Sequence, residues 1–272
     1  LVRLFTMAVT LFGVAVVVFV VIRIAPGDPI AMMLPPGASQ EVHFLLGQGA
    51  DRAATLALLQ QYRDTNRIEQ SWQALQADWD ELLGTVQVET PEPAMDLLLN
   101  RWLLYQNLAC RIWGRSAFYQ ASGAYGFRDQ LQDVMALLHV RPDIAREQIL
   151  RAAAHQFEAG DVLHWWHPPS SRGVRTRIAD DLLWLPYVTA QYVRTTGDRA
   201  VLSESVPYLI GEPLAPHEEE RYGLYAQTKE HFTLYRHCQR ALERGTTSGP
   251  HGLPLFGAGD WNDGMNRVGI NG

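Results

Sequence analysis

Carboxylates, guanidinium groups and aromatic rings gather in three short stretches of this chain, and each stretch carries the parts of a polyol-binding site. They are 123–133 (GAYGFRDQLQD), 164–181 (HWWHPPSSRGVRTRIADD) and 257–269 (GAGDWNDGMNRVG). Carboxylates and Arg forks bind hydroxyls, while Trp or Tyr faces cover the apolar side of a sugar ring. The third stretch is the densest. Asp260, Trp261, Asn262 and Asp263 stand together between glycines, which let a backbone turn tightly and approach a ligand. The same four residues also fit an Asx-turn cluster bonded to its own backbone. The two other Asp/Arg-rich stretches weigh toward a site. His164 and His167 lie three apart in a Trp- and Pro-rich stretch without cysteine partners, so neither a metal nor another cofactor is expected there. Trp165 and Trp166 fit sugar platforms and loop packing equally.

These stretches read as long loops between helices. Helical patterns are predicted over 53–83, with Trp72, Leu75 and Trp79 on one stripe, and over 94–119. Further helices are predicted over 144–159, with Asp143 as N-cap, over 181–195, closed by Gly197, and over 198–209 and 226–244. Leu234, Cys238 and Ala241 share a face of the last. Residues 41–47 (EVHFLLG) read as a short strand, and 85–90 (TVQVET) as an extended piece ended by Pro91 and Pro93. Loops this long inside a compact domain usually carry function.

Composition narrows the classes. The chain has 272 residues, 47% hydrophobic and 19% charged, which excludes disorder and low-complexity repeats. Its net charge of −6 argues against a nucleic-acid partner. Two cysteines, Cys110 and Cys238, exclude a disulfide scaffold and read as helix core residues.

The first forty residues differ from the rest. Leu4–Ile22 is free of charge and is bracketed by Arg3 and Arg23. As a helix it would span about 28 Å, close to the ~30 Å hydrocarbon core of a bilayer. A single membrane-spanning helix through residues 4–22 is therefore expected, with a buried segment of a globular core as the alternative. The segment 18–38 (VFVVIRIAPGDPIAMMLPPGA) resembles the N-terminus of peptide-type ABC transporter permeases. A permease needs several spanning helices, and the sequence offers no second long apolar run.

The loops, with 100–106 (NRWLLYQ), 109–120 (ACRIWGRSAFYQ) and 182–186 (LLWLP), resemble glycoside hydrolase family 94, most closely its cyclic β-1,2-glucan synthase and β-1,2-oligoglucan phosphorylase branch. The resemblance runs from about residue 41 to the end. It implies a mainly α fold: an (α/α)6 barrel preceded by a β-sandwich and a helical linker. Residues 1–38 are then a membrane helix and Pro/Gly linker, 41–93 the end of the sandwich and the linker, and 94–272 the first part of the barrel, roughly half.

The resemblance also implies roles. Asp263 is the general acid, although on chemistry alone Asp260 serves equally. Trp261 faces the donor sugar beside Asp260. Arg128 and Asp129 hold sugar hydroxyls, as do Arg175 or Arg177 with Asp180 or Asp181; the choice within each pair stays open, and one of the two acids alternatively caps the helix that follows. Arg267 lies on the phosphate side. Inorganic phosphate is the co-substrate and a β-glucan oligosaccharide the substrate. The location implied is the bacterial inner membrane, single-pass, with the remainder cytoplasmic if it follows the glucan synthases. The two resemblances together lead to the expectation of a chimeric or truncated reading frame. Its half barrel would expose apolar helix faces, aggregate and lack phosphorolytic activity. The other reading is a membrane transport-associated chain without catalysis.

Overall fold

The computed structural model describes residues 44–114 and 123–259. The apolar run 4–22, the permease-like segment, and the stretch carrying Asp260, Trp261, Asp263 and Arg267 lie outside the described residues. The chain divides into two compact units at Trp72/Gln73.

In the first unit the expected strand is not formed over its described part. Phe44 and Leu46 stand in irregular backbone, 92% and 103% exposed. A strand needs a neighbour for its backbone N–H and C=O groups, and none pairs with it among the described residues. The helical pattern that follows splits in two, α1 (Arg52–Gln61) and α2 (Thr65–Leu83). Asp51 caps α1 by accepting the Ala54 amide at 2.8 Å. Asp64 accepts the Asn66 amide at 3.0 Å, a local bond that competes with helix continuation and marks the break.

The second unit holds the core. Leu82 and Leu83 at the end of α2 are buried, and Trp79 packs against Tyr105 and Trp113 at ring distances of 5.1 and 5.4 Å. Among the described residues the extended piece over 85–90 joins no sheet. Asn100 takes the place of a neighbouring strand: its Oδ1 accepts the Val88 amide at 2.7 Å and its Nδ2 donates to the Val88 carbonyl at 3.0 Å. Helix α3 runs from Pro93 to Trp113, but not as one regular helix. It alternates α-helical Pro93–Leu97 and Leu103–Gln106 with π-helical Leu98–Trp102 and Asn107–Trp113. Such π segments are uncommon and often stand at functional positions.

Beyond α3 the expectation of helices joined by long loops needs correction. The first two polar stretches build much of a four-stranded antiparallel sheet, ordered β1-β2-β3-β5. Its strands are β1 (Tyr125–Gly126), β2 (Leu163–His167), β3 (Arg172–Thr176) and β5 (Glu220–Gly223). A second antiparallel pair joins β4 (Ser205–Ile210) to β6 (Ala226–Thr233), where helices were predicted over 198–209 and 226–244. Val206 and Tyr208 are buried on either side of the half-buried Pro207, the period of a strand, and a register shift between Pro207 and Leu209 buries Leu209 as well. The helical signal of 226–244 belongs to its second half, α7 (Leu234–Gly245), capped by Thr233 and burying Leu234, Cys238 and Ala241 as expected.

The other helices are α4 (Phe127–Asp133), α5 (Pro142–Ala153) and α6 (Trp184–Thr196). Asp143 does not cap α5. Pro142 occupies the first turn, and Asp143 pairs with Arg141 at 2.6 Å. Helix α5 stops at Ala153, short of the expected 159, where the His155 and Gln156 amides turn back to the Ala152 and Ala153 carbonyls. Gly197 ends α6 at φ 76°, as predicted. Phe127, Leu131, Ile149, Trp166, Leu185, Val188, Leu234 and Ala241 meet in one core, which fixes the sheet against α4–α7. The described fold is thus helical with two antiparallel sheets rather than helical throughout. Among the described residues no helix is long and apolar enough to cross a membrane.

Candidate active site

The geometry of the site begins with an extra residue in β2. Leu163 pairs with Arg175, but Trp165 pairs with Val174, so His164 is one residue too many for β3. This bulge puts both Leu163 and Trp166 on the core side and re-aims His164. Gly173 opposes Trp166, where a Cβ would lie 2.3 Å from the Trp165 carbonyl, so β2 and β3 close this tightly at glycine alone.

His164 Nδ1 meets Asp181 Oδ2 at 2.8 Å. The Asp181 side chain is 1% exposed and stands 3.7 Å from the Arg128 Nε. Arg128, itself buried on the first turn of α4, donates from Nη1 to Asp180 Oδ1 at 2.8 Å. Asp180 also accepts from the Trp184 indole at 3.1 Å. Burial pushes the Asp181 carboxyl up; the His164 bond and the Arg128 charge pull it back. Asp180 stands at the N-cap of the turn Asp181–Leu183, yet its side chain caps no amide. It bridges Arg128 and Trp184 instead, and at 23% side-chain exposure it is the acid of the pair that reaches solvent.

The turn that carries these acids is bonded to the start of the third polar stretch. Ala258 donates to the Arg177 carbonyl at 3.0 Å, and Ala179 donates to the Gly259 carbonyl at 2.8 Å. Residues 257–259 therefore run beside 177–179, and Asp260 follows directly in sequence. Gly257 makes this possible: its φ is +64°, and a Cβ there would lie 2.0 Å from the Arg177 carbonyl. Gly257→Ala is expected to cost at least ~2 kcal/mol in urea denaturation. The control Gly252→Ala, at φ +73° but with open space around it, should cost about 1 kcal/mol. Equal losses would show that the close contact at Gly257 does not matter.

The structure separates other predicted residues from this cluster. Arg175 is 1% exposed and spends its fork on Asp161, at 2.6 and 2.7 Å, and on the Gly211 and Glu212 carbonyls. Its guanidinium lies 3.7 Å over the Phe157 ring. Arg177 donates to the carbonyls of Glu218, Leu214 and Ala215. Both arginines pin the 211–219 loop. Asp129 follows Arg128 on α4, partly exposed. Trp166 is core, stacked on His155 at 3.8 Å, whereas Trp165 stays on the outer face of the sheet. The sequence reading missed three participants, His164, Trp184 and Asp161. His164 was visible only as half of an unlikely metal pair, and nothing in the spacing ties Asp161 to Arg175.

Residues 78–271 match the family profile described as the glycosyl hydrolase 94 superfamily, catalytic domain. The chain belongs to that superfamily. The match does not include residues 1–38. Over 234 residues this glycosyl hydrolase 94 chain is 46% identical to the cyclic beta-(1,2)-glucan synthase NdvB of Rhizobium meliloti, covering 86% of this chain and 8% of that protein. It is 28% identical to N,N'-diacetylchitobiose phosphorylase of Vibrio proteolyticus, covering 87% of this chain and 31% of the relative. It is 30% identical to solabiose phosphorylase of Paenibacillus borealis, covering 88% and 28%. The chain thus spans less than a third of the length of each of these relatives.

Proposed function

We propose that this chain carries the donor-sugar side of an inverting glycoside phosphorylase site, within an (α/α)6-type domain acting on β-1,2-linked glucans and inorganic phosphate. The observation that carries the reading is the backbone pairing of 257–259 with 177–179, which joins the Arg128–Asp180–Asp181–His164 cluster to the stretch bearing Asp263. The similarity to a cyclic β-1,2-glucan synthase supports the linkage, and the similarity to phosphorylases supports phosphate as the acceptor of the glycosyl group.

In this reading Asp263 gives its proton to the glycosidic oxygen as the bond to the anomeric carbon breaks. A phosphate oxygen bonds that carbon from the opposite face and leaves an α-glucosyl phosphate, with the shortened glucan as leaving group. Phosphate is already a nucleophile, so one protein carboxyl suffices where an inverting hydrolase needs two. Trp261 covers the donor ring beside Asp260, and Arg267 faces the phosphate. Asp180 and Asp129 accept sugar hydroxyls, with Arg128 setting the charge and position of the acids. Arg175 and Arg177 shape the loop behind them, their forks being filled by protein groups. Asp181, buried and bonded to His164, orients this side of the site rather than meeting the sugar.

Calorimetry with β-1,2-glucooligosaccharides and NMR detection of α-glucose 1-phosphate test this. Saturable binding with phosphate-dependent release of the α anomer would support the reading and overturn the expectation that this chain lacks phosphorolytic activity, and Asp263→Asn should then slow release by at least ~100-fold. Binding without release would keep the sugar site and remove the phosphorolytic step. Neither binding nor release would overturn the reading.

A further inference from the structure

The outer face of the four-stranded sheet carries a row of side chains that the site above does not use. Trp165 pairs across to Val174, and Val174 to Tyr222, so the three form one cross-strand row. Two residues along, His167 and Arg172 form the next pair on the same face. Two residues the other way, Glu220 takes the corresponding place on β5. The Trp165 and Tyr222 rings lie 5.6 Å apart and tilt by 41°. The Arg172 guanidinium sits 5.8 Å over Tyr222, and His167 meets Trp165 edge-on at 5.3 Å. Tyr222 is 53% exposed, and Glu220 and Arg172 are exposed, while Val174 beneath the rings is buried.

We propose that this strip is an accessory subsite for the distal units of a β-linked glucan, resting on the carbohydrate reading of the site above. Three features select that occupant. Two aromatic faces bracketed by a guanidinium, an imidazole and a carboxylate match the alternating apolar and hydroxyl edges of sugar rings. The one aliphatic side chain of the row, Val174, is buried beneath the rings, and the side chains above it are aromatic, charged or imidazole, unlike the apolar centre of a protein-docking patch. The strand that carries the middle of the strip, β3, leads directly into the turn that bears Asp180 and Asp181.

The test is the chain-length dependence of binding. Calorimetry compares the β-1,2-linked disaccharide with the hexasaccharide, on the unaltered chain and on Tyr222→Ala and Arg172→Ala. Both substitutions sit on exposed side chains, and circular dichroism with a thermal scan verifies that each variant folds. The unaltered chain should prefer the hexasaccharide, and Tyr222→Ala should cut that preference about tenfold, the worth of one aromatic contact. Arg172→Ala should cut it by a smaller factor. An unchanged preference in both variants overturns the strip while leaving the site intact. If the unaltered chain binds neither sugar, the site reading fails and the strip fails with it.

Discussion

Replacing Arg128 with methionine is expected to lower the unfolding free energy by roughly 3 to 5 kcal/mol at pH 7. The Arg128 side chain is 3% exposed and faces two carboxylates, one of them, Asp181, 1% exposed. Methionine fills much of the volume but takes away the charge, leaving two neighbouring acids to repel each other at a site largely closed to water. Most of the cost is therefore the penalty of uncompensated buried charge rather than the lost strength of one ion pair. The dependence on pH separates this cause from lost packing. Asp181 is already pushed up by burial, and without Arg128 it takes a proton more readily still. The cost of the substitution should then shrink as pH falls from 7 toward 5, whereas a packing defect would stay constant. Arg128→Lys keeps the charge but not the fork, and should recover only part of the loss. A cost below about 1 kcal/mol for the methionine variant would show that the acids are solvated and that the cluster is not a buried network.

The cluster was partly legible in the sequence, and the reasons are local. Arg128, Asp180 and Asp181 stood out because charges beside aromatic residues and glycines are recognisable without knowing what they touch. Their mutual contact was not legible, since Arg128 and Asp180 are 52 positions apart and meet only through the packing of α4 against the turn before α6. The choice between Arg175 and Arg177 was closed to sequence reasoning for the same reason. Both look free on paper, and the structure fills both forks with the 211–219 loop and Asp161. A helix with a clear apolar stripe and a glycine stop, α6, was read to within a few residues of both ends, and α7 at its C-terminal end alone. The strands were missed where alternation is weak. β6 is exposed along most of its length and offers no apolar period, so its residues joined the helical pattern that begins at Leu234. In β2 the bulge at His164 breaks the alternation and made a strand look like a loop. Residues 257–259 were read from their glycines, and the positive φ at Gly257 bears out the tight turn expected there.

Unfolding should become strongly pH-dependent below neutrality because of two buried histidines outside the acid cluster. His155 lies flat on Trp166 at 3.8 Å, with Nδ1 bonded to the Arg151 carbonyl at 2.7 Å and Nε2 near the Ser171 hydroxyl at 3.3 Å. His237 is fully buried, stacked on Tyr208 at 4.0 Å, with Nδ1 2.8 Å from Gln156 Oε1 and Nε2 3.1 Å from the Val206 carbonyl. Burial holds both rings neutral and lowers each from 6.5 to about 4. The sign follows from which state takes up protons. Between pH 6.5 and 4 the unfolded chain binds a proton at each histidine and the folded chain does not, so stability falls as pH falls. The loss at pH 4 should approach roughly 3 kcal/mol per histidine, and near pH 5 unfolding should take up about two protons from this pair. Asp181 works in the opposite direction, because its raised carboxyl favours the folded state as it protonates, and it offsets part of the slope. Urea denaturation at half-unit steps from pH 7 to 4 measures the slope, and replacing both histidines with glutamine should flatten it. The pair lies among β2, β4, α5 and α7, so its protonation would loosen the core that holds the sheet before it altered the acids on the 177–181 turn. Stability that stays constant from pH 6.5 to 5 in the unaltered chain would mean that water reaches these rings and that this core is not closed.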